Sequence, residues 1–161
     1  MGAAVKKILL VGYGRAGKDE GLSYLSKLTG LANAGTTSIY LAKYVAEKLG
    51  VSDVEAYRDR HKNRDLWYRI GNELRANDPG ILMREAFQVG PLSGGVRDLE
   101  EILVARKDPR IIIAWIENER VPIDQTVKFG PEHCTTTIYN NGSLAVYHEN
   151  LKQFAKFAGL I

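Results

Sequence analysis

A glycine-rich turn between an apolar segment and a helical one constrains this sequence more than any other feature. Residues 7–11 read KILLV, an apolar run typical of a buried strand, and leucines recur at helical spacing after residue 17. Between them, residues 12–19 read GYGRAGKD, with the spacing G-x-x-x-x-G-K. Glycine adopts backbone angles that other residues avoid and lets a ligand approach the main chain closely. The segment therefore predicts a strand, a phosphate-binding loop and a helix in succession.

The chemistry of a polyphosphate explains the residue types in this loop. Backbone N–H groups can converge on phosphate oxygens, the following helix points its positive N-terminal end at them, and Lys18 adds a mobile cation. A glycine-rich turn without a ligand is the alternative, but the strand before it and the helix after it favour a phosphate loop. We expect ATP to bind at Gly12, Gly14, Arg15, Ala16, Gly17, Lys18, Asp19 and Glu20.

Asp19 departs from the usual form of this motif, which has Ser or Thr at that position. The usual hydroxyl binds Mg²⁺, and a carboxylate can do so directly or through water because Mg²⁺ prefers oxygen ligands. We therefore expect Mg²⁺ as a cofactor with Asp19 as its ligand. The alternative is an acidic residue that only stabilises the first turn of the helix through the helix dipole.

Composition limits the class of protein. A chain of 161 residues suits one domain, and a net charge of +3 is too small to indicate a nucleic-acid partner. No apolar run reaches the ~18 residues of a membrane span, and the first run is too short for a signal peptide. Lys6 stands where a myristoylation signal at Met1-Gly2 requires Ser or Thr. With a single cysteine, Cys134, we expect a cytoplasmic protein without a membrane partner.

The order of the predicted elements indicates the fold class. Helices that alternate with strands favour an α/β fold in three layers, in which a central, mainly parallel sheet is flanked by helices. Residues 30–38 are rich in small and polar side chains and predict a loop. The patterns predict strands at residues 7–11, 110–117 and 135–139, a short strand within 89–96, and helices at 17–28, 39–49, 65–77, 81–88, 98–106 and 143–158.

Two later segments add a resemblance to a known family. Gly95-Val96-Arg97 and the tail that reads IYNNGS from residue 138 follow the loop in an order that resembles the bacteriophage deoxynucleoside monophosphate kinases, of the P-loop nucleoside monophosphate kinase group. The resemblance implies ATP-dependent phosphorylation of a (deoxy)nucleoside monophosphate by direct in-line transfer, in the host cytoplasm if a phage encodes the chain. It also implies one kinase domain, 1–161, with a core (1–29, 81–117 and 134–161), an acceptor-binding region (30–80) and a lid (118–133).

The same resemblance implies roles for residues outside the loop. Arg97 and Arg120 would be catalytic together with Lys18 of the loop, and Asp124 and Lys128 would lie beside Arg120 in the lid. The family often has an acid before its Val-Arg pair, where this chain has Gly95, so Asp19, Glu117 or Asp98 would support the metal instead. One basic cluster could bind the acceptor or be a solvated helix face, and it consists of Arg58, Arg60, Lys62, Arg64, Arg69 and Arg75. Trp67 could stack on a base or pack in the core. The expected acceptor-binding residues are Thr36, Thr37, Ser38, Arg60, Arg64, Trp67 and Arg97.

Other functions stay open at this point. A kinase of another small metabolite would keep the loop and change the acceptor site, and a non-catalytic nucleotide-binding protein would bind without transfer. A GTP switch is disfavoured because the chain lacks an Asn-Lys-x-Asp motif. The expected partners are small-molecule nucleotides, and a homodimer is compatible with the sequence.

Overall fold

The structure is a computed structural model, and it describes residues 6–161. Met1-Gly2, considered above as a myristoylation signal, lies outside the described residues. Within the described part of the chain, no helix has the length and apolar character needed to cross a membrane.

Five strands and seven α-helices form the described fold, with two short 3₁₀ turns at Arg60–Lys62 and Pro131–His133. The strands are β1 (Lys7–Val11), β2 (Asn33–Thr36), β3 (Leu92–Gly94), β4 (Ile111–Glu117) and β5 (Thr136–Tyr139). The helices are α1 (Lys18–Thr29), α2 (Thr37–Leu49), α3 (Asp53–Arg58), α4 (Arg64–Asn77), α5 (Ile81–Val89), α6 (Leu99–Arg106) and α7 (Leu144–Phe157).

The strands form one sheet in the order β2-β3-β1-β4-β5, and every neighbouring pair is parallel. This confirms the predicted α/β fold with a parallel central sheet. Because all strands run the same way, their carboxyl ends meet at one edge, which is where open α/β sheets bind ligands. The predicted phosphate loop follows the central strand at that edge.

The two faces of the sheet bury alternate residues of β1, as the two-residue period of a strand requires. Ile8 and Leu10 pack toward α1 and α7, whereas Leu9 and Val11 pack toward α5 and α6. All four side chains are 0% exposed. The loop that follows β1 is therefore attached to a strand whose last four residues are fully buried, which gives it a rigid base.

Helices α2 to α5 pack on one another beside the sheet and form a third apolar cluster. Its buried residues include Leu41 and Val45 of α2, Trp67 and Ile70 of α4, and Leu82 of α5. This helical unit has a core of its own; α2 to α4 lie within the predicted acceptor-binding region, 30–80, whereas α5 begins just after it.

The prediction of a loop over residues 30–38 is wrong at its centre. Asn33–Thr36 forms β2, an edge strand that pairs with β3 through an irregular register between Asn33 and Gly35. The side chain of Ser93 donates a hydrogen bond to the Gly35 carbonyl oxygen at 2.8 Å. The small residues of this segment carry no strand pattern, because its conformation comes from pairing with a partner distant in sequence.

Candidate functional site

The loop after β1 has the backbone that its glycines predict. Gly12 and Gly17 have φ angles of +154° and +117°, which L side chains rarely adopt. A Cβ on Gly12 would lie 2.8 Å from the Ile116 carbonyl oxygen, and one on Gly17 would lie 2.6 Å from Nδ2 of Asn140. Both positions therefore require glycine for space as well as for conformation.

Two side chains, one from the turn after β5 and one from α7, donate hydrogen bonds to carbonyl groups of the loop. Asn140 Nδ2 donates to the Ala16 carbonyl oxygen at 2.8 Å, and the Tyr147 hydroxyl donates to the Gly17 carbonyl oxygen at 2.7 Å. Because a peptide group is planar and trans, its N–H points away from its carbonyl. Among the described residues, no side chain caps the N-terminus of α1. The loop can therefore offer amides and a helix N-terminus to an anion.

Lys18 lies folded over the loop. Its Nζ donates to the carbonyl oxygens of Gly12 at 3.1 Å and Tyr13 at 2.8 Å. Burial, together with the nearby positive charge of Arg97, lowers the pKa of Lys18 to about 8, against the opposing effects of Asp19 and Asp124. The charge of the Lys18 amine is costly at this site without an anionic partner. A bound phosphate would therefore stabilise the protonated amine.

The pKa of Lys18 makes nucleotide affinity depend on pH. Because the anionic phosphates bind the protonated amine, we expect the affinity for ATP to fall as pH rises through about 8, the pKa of Lys18. Isothermal titration with ATP from pH 6.5 to 9.5 measures this change. In a Lys18→Arg variant that still binds ATP, the inflection should disappear, since the guanidinium keeps its charge over this range. An unchanged inflection in that variant would assign the titration to another group.

Asp124, in the segment between β4 and β5, contacts the loop through its side chain. The Gly14 N–H donates to Oδ2 of Asp124 at 3.1 Å, and Nη1 of Arg97 donates to the same oxygen at 3.0 Å. Arg97 also contacts the Thr126 hydroxyl. Burial alone would raise the pKa of Asp124, but hydrogen bonds from Thr126 and Gly14 and the charge of Arg97 hold that pKa below its ordinary value. An ionised carboxylate thus lies at one of the loop amides that are predicted to bind phosphate.

Replacing Asp124 with asparagine should therefore strengthen metal-free nucleotide binding. The substitution removes a negative charge that repels the phosphates, and we expect the Kd for ATP in EDTA to fall about fivefold. Equilibrium dialysis with labelled ATP provides the measurement. Asp108→Asn is the matched control, because Asp108 also pairs with an arginine, Arg110, but has no hydrogen bond to the loop. Equal or weaker binding by the Asp124 variant would show that this carboxylate does not compete with phosphate.

A cavity of about 430 Å³ lies between the helical unit and the segments that follow β2 and β3. Six of the seven predicted acceptor-binding residues line it, and Thr36 contacts one of them through a 3.1 Å hydrogen bond between its hydroxyl and that of Ser38. Their role as substrate ligands stays a prediction. The six are Thr37, Ser38, Arg60, Arg64, Trp67 and Arg97.

The structure places the remaining predicted residues outside this cavity. The Arg120 guanidinium donates to the carbonyl oxygens of Asn140 at 2.8 Å and Gly142 at 3.1 Å, beside the turn that precedes α7. Glu20 pairs with His148 at 2.8 Å. The predicted roles of Arg120 in catalysis and of Glu20 in ATP binding stay untested by these contacts.

Several carboxylates could support Mg²⁺, and the donor chemistry suits that ion because all are oxygen ligands. Asp19 is exposed directly after Lys18, whereas Oε2 of Glu117 accepts a hydrogen bond from Trp115 at 2.7 Å and Asp98 pairs with Arg75 at 2.6 Å. In residues 6–161, no three His, Cys, Asp or Glu side chains cluster as a ready metal site. Asp19 is thus less engaged than the other two, and its role as a metal ligand stays a prediction.

Sequence reasoning missed Glu101, a buried carboxylate at the wall of the cavity. Glu101 is 1% exposed, and its Oε1 accepts hydrogen bonds from the backbone N–H groups of Arg97 at 3.3 Å and Asp98 at 3.2 Å. Burial raises the pKa of Glu101, and the charge of Arg75 opposes that rise. The sequence signal for Glu101 is its position in the first turn of α6. That position also suits an ordinary capping residue, so it did not stand out.

Comparison of the whole fold with known proteins identifies its type. Shikimate kinase from Acinetobacter baumannii, in a structure with shikimate, superposes with a TM-score of 0.56 over 96% of this chain and 93% of that one. The sequences are 14% identical. The fold is that of the P-loop kinases. At this identity, the P-loop kinase fold is what the two proteins share, and the likeness does not extend to a substrate.

Sequence comparison adds no family. No model of a known protein family matches the chain. A protein of Dictyostelium discoideum named "Probable intron-encoded endonuclease aI3" is 30% identical over 115 residues, which are 71% of this chain. The match spans 45% of the length of that protein, less than half of it. The P-loop kinase fold, rather than this partial match, therefore guides the functional proposal.

Proposed function

We propose that this protein transfers the γ-phosphoryl group of ATP to a (deoxy)nucleoside monophosphate. The observation that carries the proposal is the position of Arg97. This side chain lines the cavity and also contacts Asp124, which in turn binds the Gly14 amide of the phosphate loop. One arginine thus lines the cavity that suits an acceptor and is linked through Asp124 to the loop that suits ATP.

The proposed reaction needs no covalent intermediate. An oxygen of the acceptor's phosphate attacks the γ-phosphorus of ATP, the bond from that phosphorus to the bridging oxygen breaks, and ADP leaves. Charge spreads over the transferring oxygens, so the protein contributes mainly position and positive charge. Lys18 and the loop amides would hold the donor, and Arg97 would hold the acceptor phosphate close to it. Mg²⁺, held near Asp19, would neutralise charge on the β- and γ-phosphates.

Two features of the cavity favour a nucleotide acceptor over other small metabolites. Its lining combines Arg60, Arg64 and Arg97, which suit a phosphate, with the aromatic side chains of Trp67 and Tyr68, which suit a planar base. The resemblance of the loop and of residues 95–97 to the bacteriophage deoxynucleoside monophosphate kinases supports the same class of acceptor. The basic residues alone would also suit a carboxylated metabolite.

A coupled assay of ADP release tests the proposal. The four deoxynucleoside monophosphates, their ribose counterparts and shikimate are each offered with Mg·ATP, and the phosphorylated product is identified by mass spectrometry. We expect turnover with at least one monophosphate and a preference among the bases. Turnover with shikimate alone would favour the metabolite kinase, and ATP binding without transfer to any acceptor would favour the non-catalytic reading.

A further inference from the structure

One carboxylate oxygen holds groups of both proposed substrate sites. Oδ2 of Asp124 accepts a hydrogen bond from the Gly14 N–H of the phosphate loop at 3.1 Å and another from Nη1 of Arg97 at 3.0 Å. Gly14 belongs to the loop expected to bind ATP, and Arg97 lines the cavity proposed for the acceptor. A single atom of one side chain therefore joins the two sites.

The carboxylate of Asp124 is held in place by its own segment. Its other oxygen, Oδ1, accepts hydrogen bonds from the backbone N–H of Thr126 at 3.0 Å and from the Thr126 hydroxyl at 2.6 Å. The segment is anchored further along the chain, because Phe129 is buried against the sheet and the Lys128 N–H donates to the Arg97 carbonyl oxygen at 2.7 Å. Asp124 thus has a defined position between the loop and the cavity.

On the donor side, a phosphate of ATP would compete with this carboxylate for the Gly14 amide. A Cβ on Gly14 would lie 3.2 Å from Oδ2 of Asp124, so the carboxylate lies directly against the loop. An N–H group has one proton to donate, and two anions at this distance repel each other. A phosphate bound at this amide therefore requires Oδ2 to move away, and the same movement takes Oδ2 from Nη1 of Arg97.

On the acceptor side, Asp124 offsets part of the charge of Arg97. Arg97 lines the cavity with 48% of its side chain exposed, so an acceptor phosphate can reach the guanidinium. A phosphate bound there would lie close to the carboxylate, because Oδ2 is only 3.0 Å from Nη1, and the two negative charges would repel each other. The acceptor phosphate therefore also binds better once the carboxylate has moved.

We propose that Asp124 couples the two substrate sites, so that the phosphate of one substrate displaces the carboxylate and thereby raises the affinity for the other substrate. This inference rests on the proposed kinase function and gives Asp124 a positioning role in it. The substrate that binds first moves the carboxylate, and the second then finds its amide or guanidinium free. Thermodynamic linkage requires the gain in affinity to be equal in both directions.

Isothermal titration measures this coupling without turnover. The ligands are AMP-PNP with Mg²⁺, as an analogue of ATP, and the deoxynucleoside monophosphate that the protein phosphorylates fastest. Each ligand is titrated into the protein alone and into the protein saturated with the other ligand. In the wild type, we expect the Kd of each ligand to fall about fivefold when the other is bound.

Asp124→Asn removes the charge of this side chain and keeps its size. The Kd of the monophosphate alone should fall, and saturation with AMP-PNP should then change it by less than about twofold. Repulsion between the two ligands acts in both proteins, so the difference between the proteins isolates the carboxylate. A merely structural effect would instead weaken both ligands.

Asp108→Asn is the matched control for the coupling. The Asp108 side chain is 25% exposed and pairs with Arg110, whereas that of Asp124 is 21% exposed and pairs with Arg97. This control should keep the wild-type coupling factor. Asp124→Ala, which removes the whole carboxyl group, should lose the coupling as Asp124→Asn does.

The outcomes separate this inference from the proposed function. If the wild type neither binds nor phosphorylates a nucleoside monophosphate, the proposed function fails and the coupling fails with it. If the wild type phosphorylates a monophosphate but the two ligands bind independently, or if Asp124→Asn keeps the coupling factor, only the inference fails. Weaker binding of AMP-PNP with Mg²⁺ by Asp124→Asn would also overturn it, since the carboxylate would then serve the bound nucleotide. Thermal unfolding verifies each variant, and if Asp124→Asn does not fold, Asp124→Ala decides.

Discussion

Lys18→Ala is expected to lower the rate of phosphoryl transfer by about 10³-fold or more, the largest effect of any substitution considered for this protein. The reason is that Lys18 provides a mobile positive charge at the phosphate loop, where the transferring oxygens develop their charge. Single-turnover kinetics with saturating ATP and acceptor measure the chemical step directly. Because the loop amides stay in place, we expect ATP still to bind. Varying the ATP concentration in the same experiment tests this.

The fold should survive this substitution. In the structure, Nζ of Lys18 bonds two loop carbonyl oxygens, and burial together with the charge of Arg97 lowers its pKa, so the folded state gains little from this charge. We therefore expect the free energy of unfolding to change by about 1 kcal/mol at most. Lys27→Ala is the control, since Lys27 is an exposed residue at the other end of α1. Near-native transfer by Lys18→Ala would refute the assignment of the donor site.

Arg97→Ala should produce the second-largest effect, through the acceptor. We expect kcat/KM for the acceptor to fall by about 10²-fold or more, because removing the guanidinium leaves the acceptor phosphate without its link to the loop. The KM for ATP should change much less. Initial rates with each substrate varied in turn distinguish the two constants.

A matched control separates this effect from the loss of a surface ion pair. Arg97 pairs with Asp124 with 48% of its side chain exposed, and Arg110 pairs with Asp108 with 50% exposed. Ion pairs as exposed as these contribute about 1 kcal/mol or less to stability. Arg110→Ala should therefore keep full activity. If both variants lose activity equally, or if Arg97→Ala raises only the KM for ATP, Arg97 does not serve the acceptor.

The sequence was sufficient to predict the strand, the glycine-rich turn and the helix around residue 12 because their determinants are local. The apolar run of β1, the glycines at positions 12 and 17 and the start of α1 are contiguous, and each restricts the backbone by itself. The parallel sheet also followed from the alternation of elements. Edge strand β2 did not, because Asn33–Thr36 becomes a strand only by pairing with β3, more than fifty residues later.

The cavity could be predicted only in part, for a similar reason. Arg60, Arg64 and Trp67 are close in sequence and stood out as a basic and aromatic cluster. Glu101 comes from α6, and nothing in its local sequence distinguishes it from an ordinary capping residue. Asp124 was expected in the lid, but its contact with the Gly14 amide depends on how segments distant in sequence meet after the chain has folded. A sequence pattern does not contain that information.

The way in which the phosphate loop is held has a consequence for protein synthesis. The loop completes its local sequence at residue 19, but the groups that fix its carbonyls are Asn140 and Tyr147, which lie 124 and 130 residues after their partners. A growing chain on the ribosome therefore carries the whole motif long before it can hold the motif in its binding geometry. Nucleotide should begin to protect the nascent protein from proteolysis only after α7 has emerged from the exit tunnel.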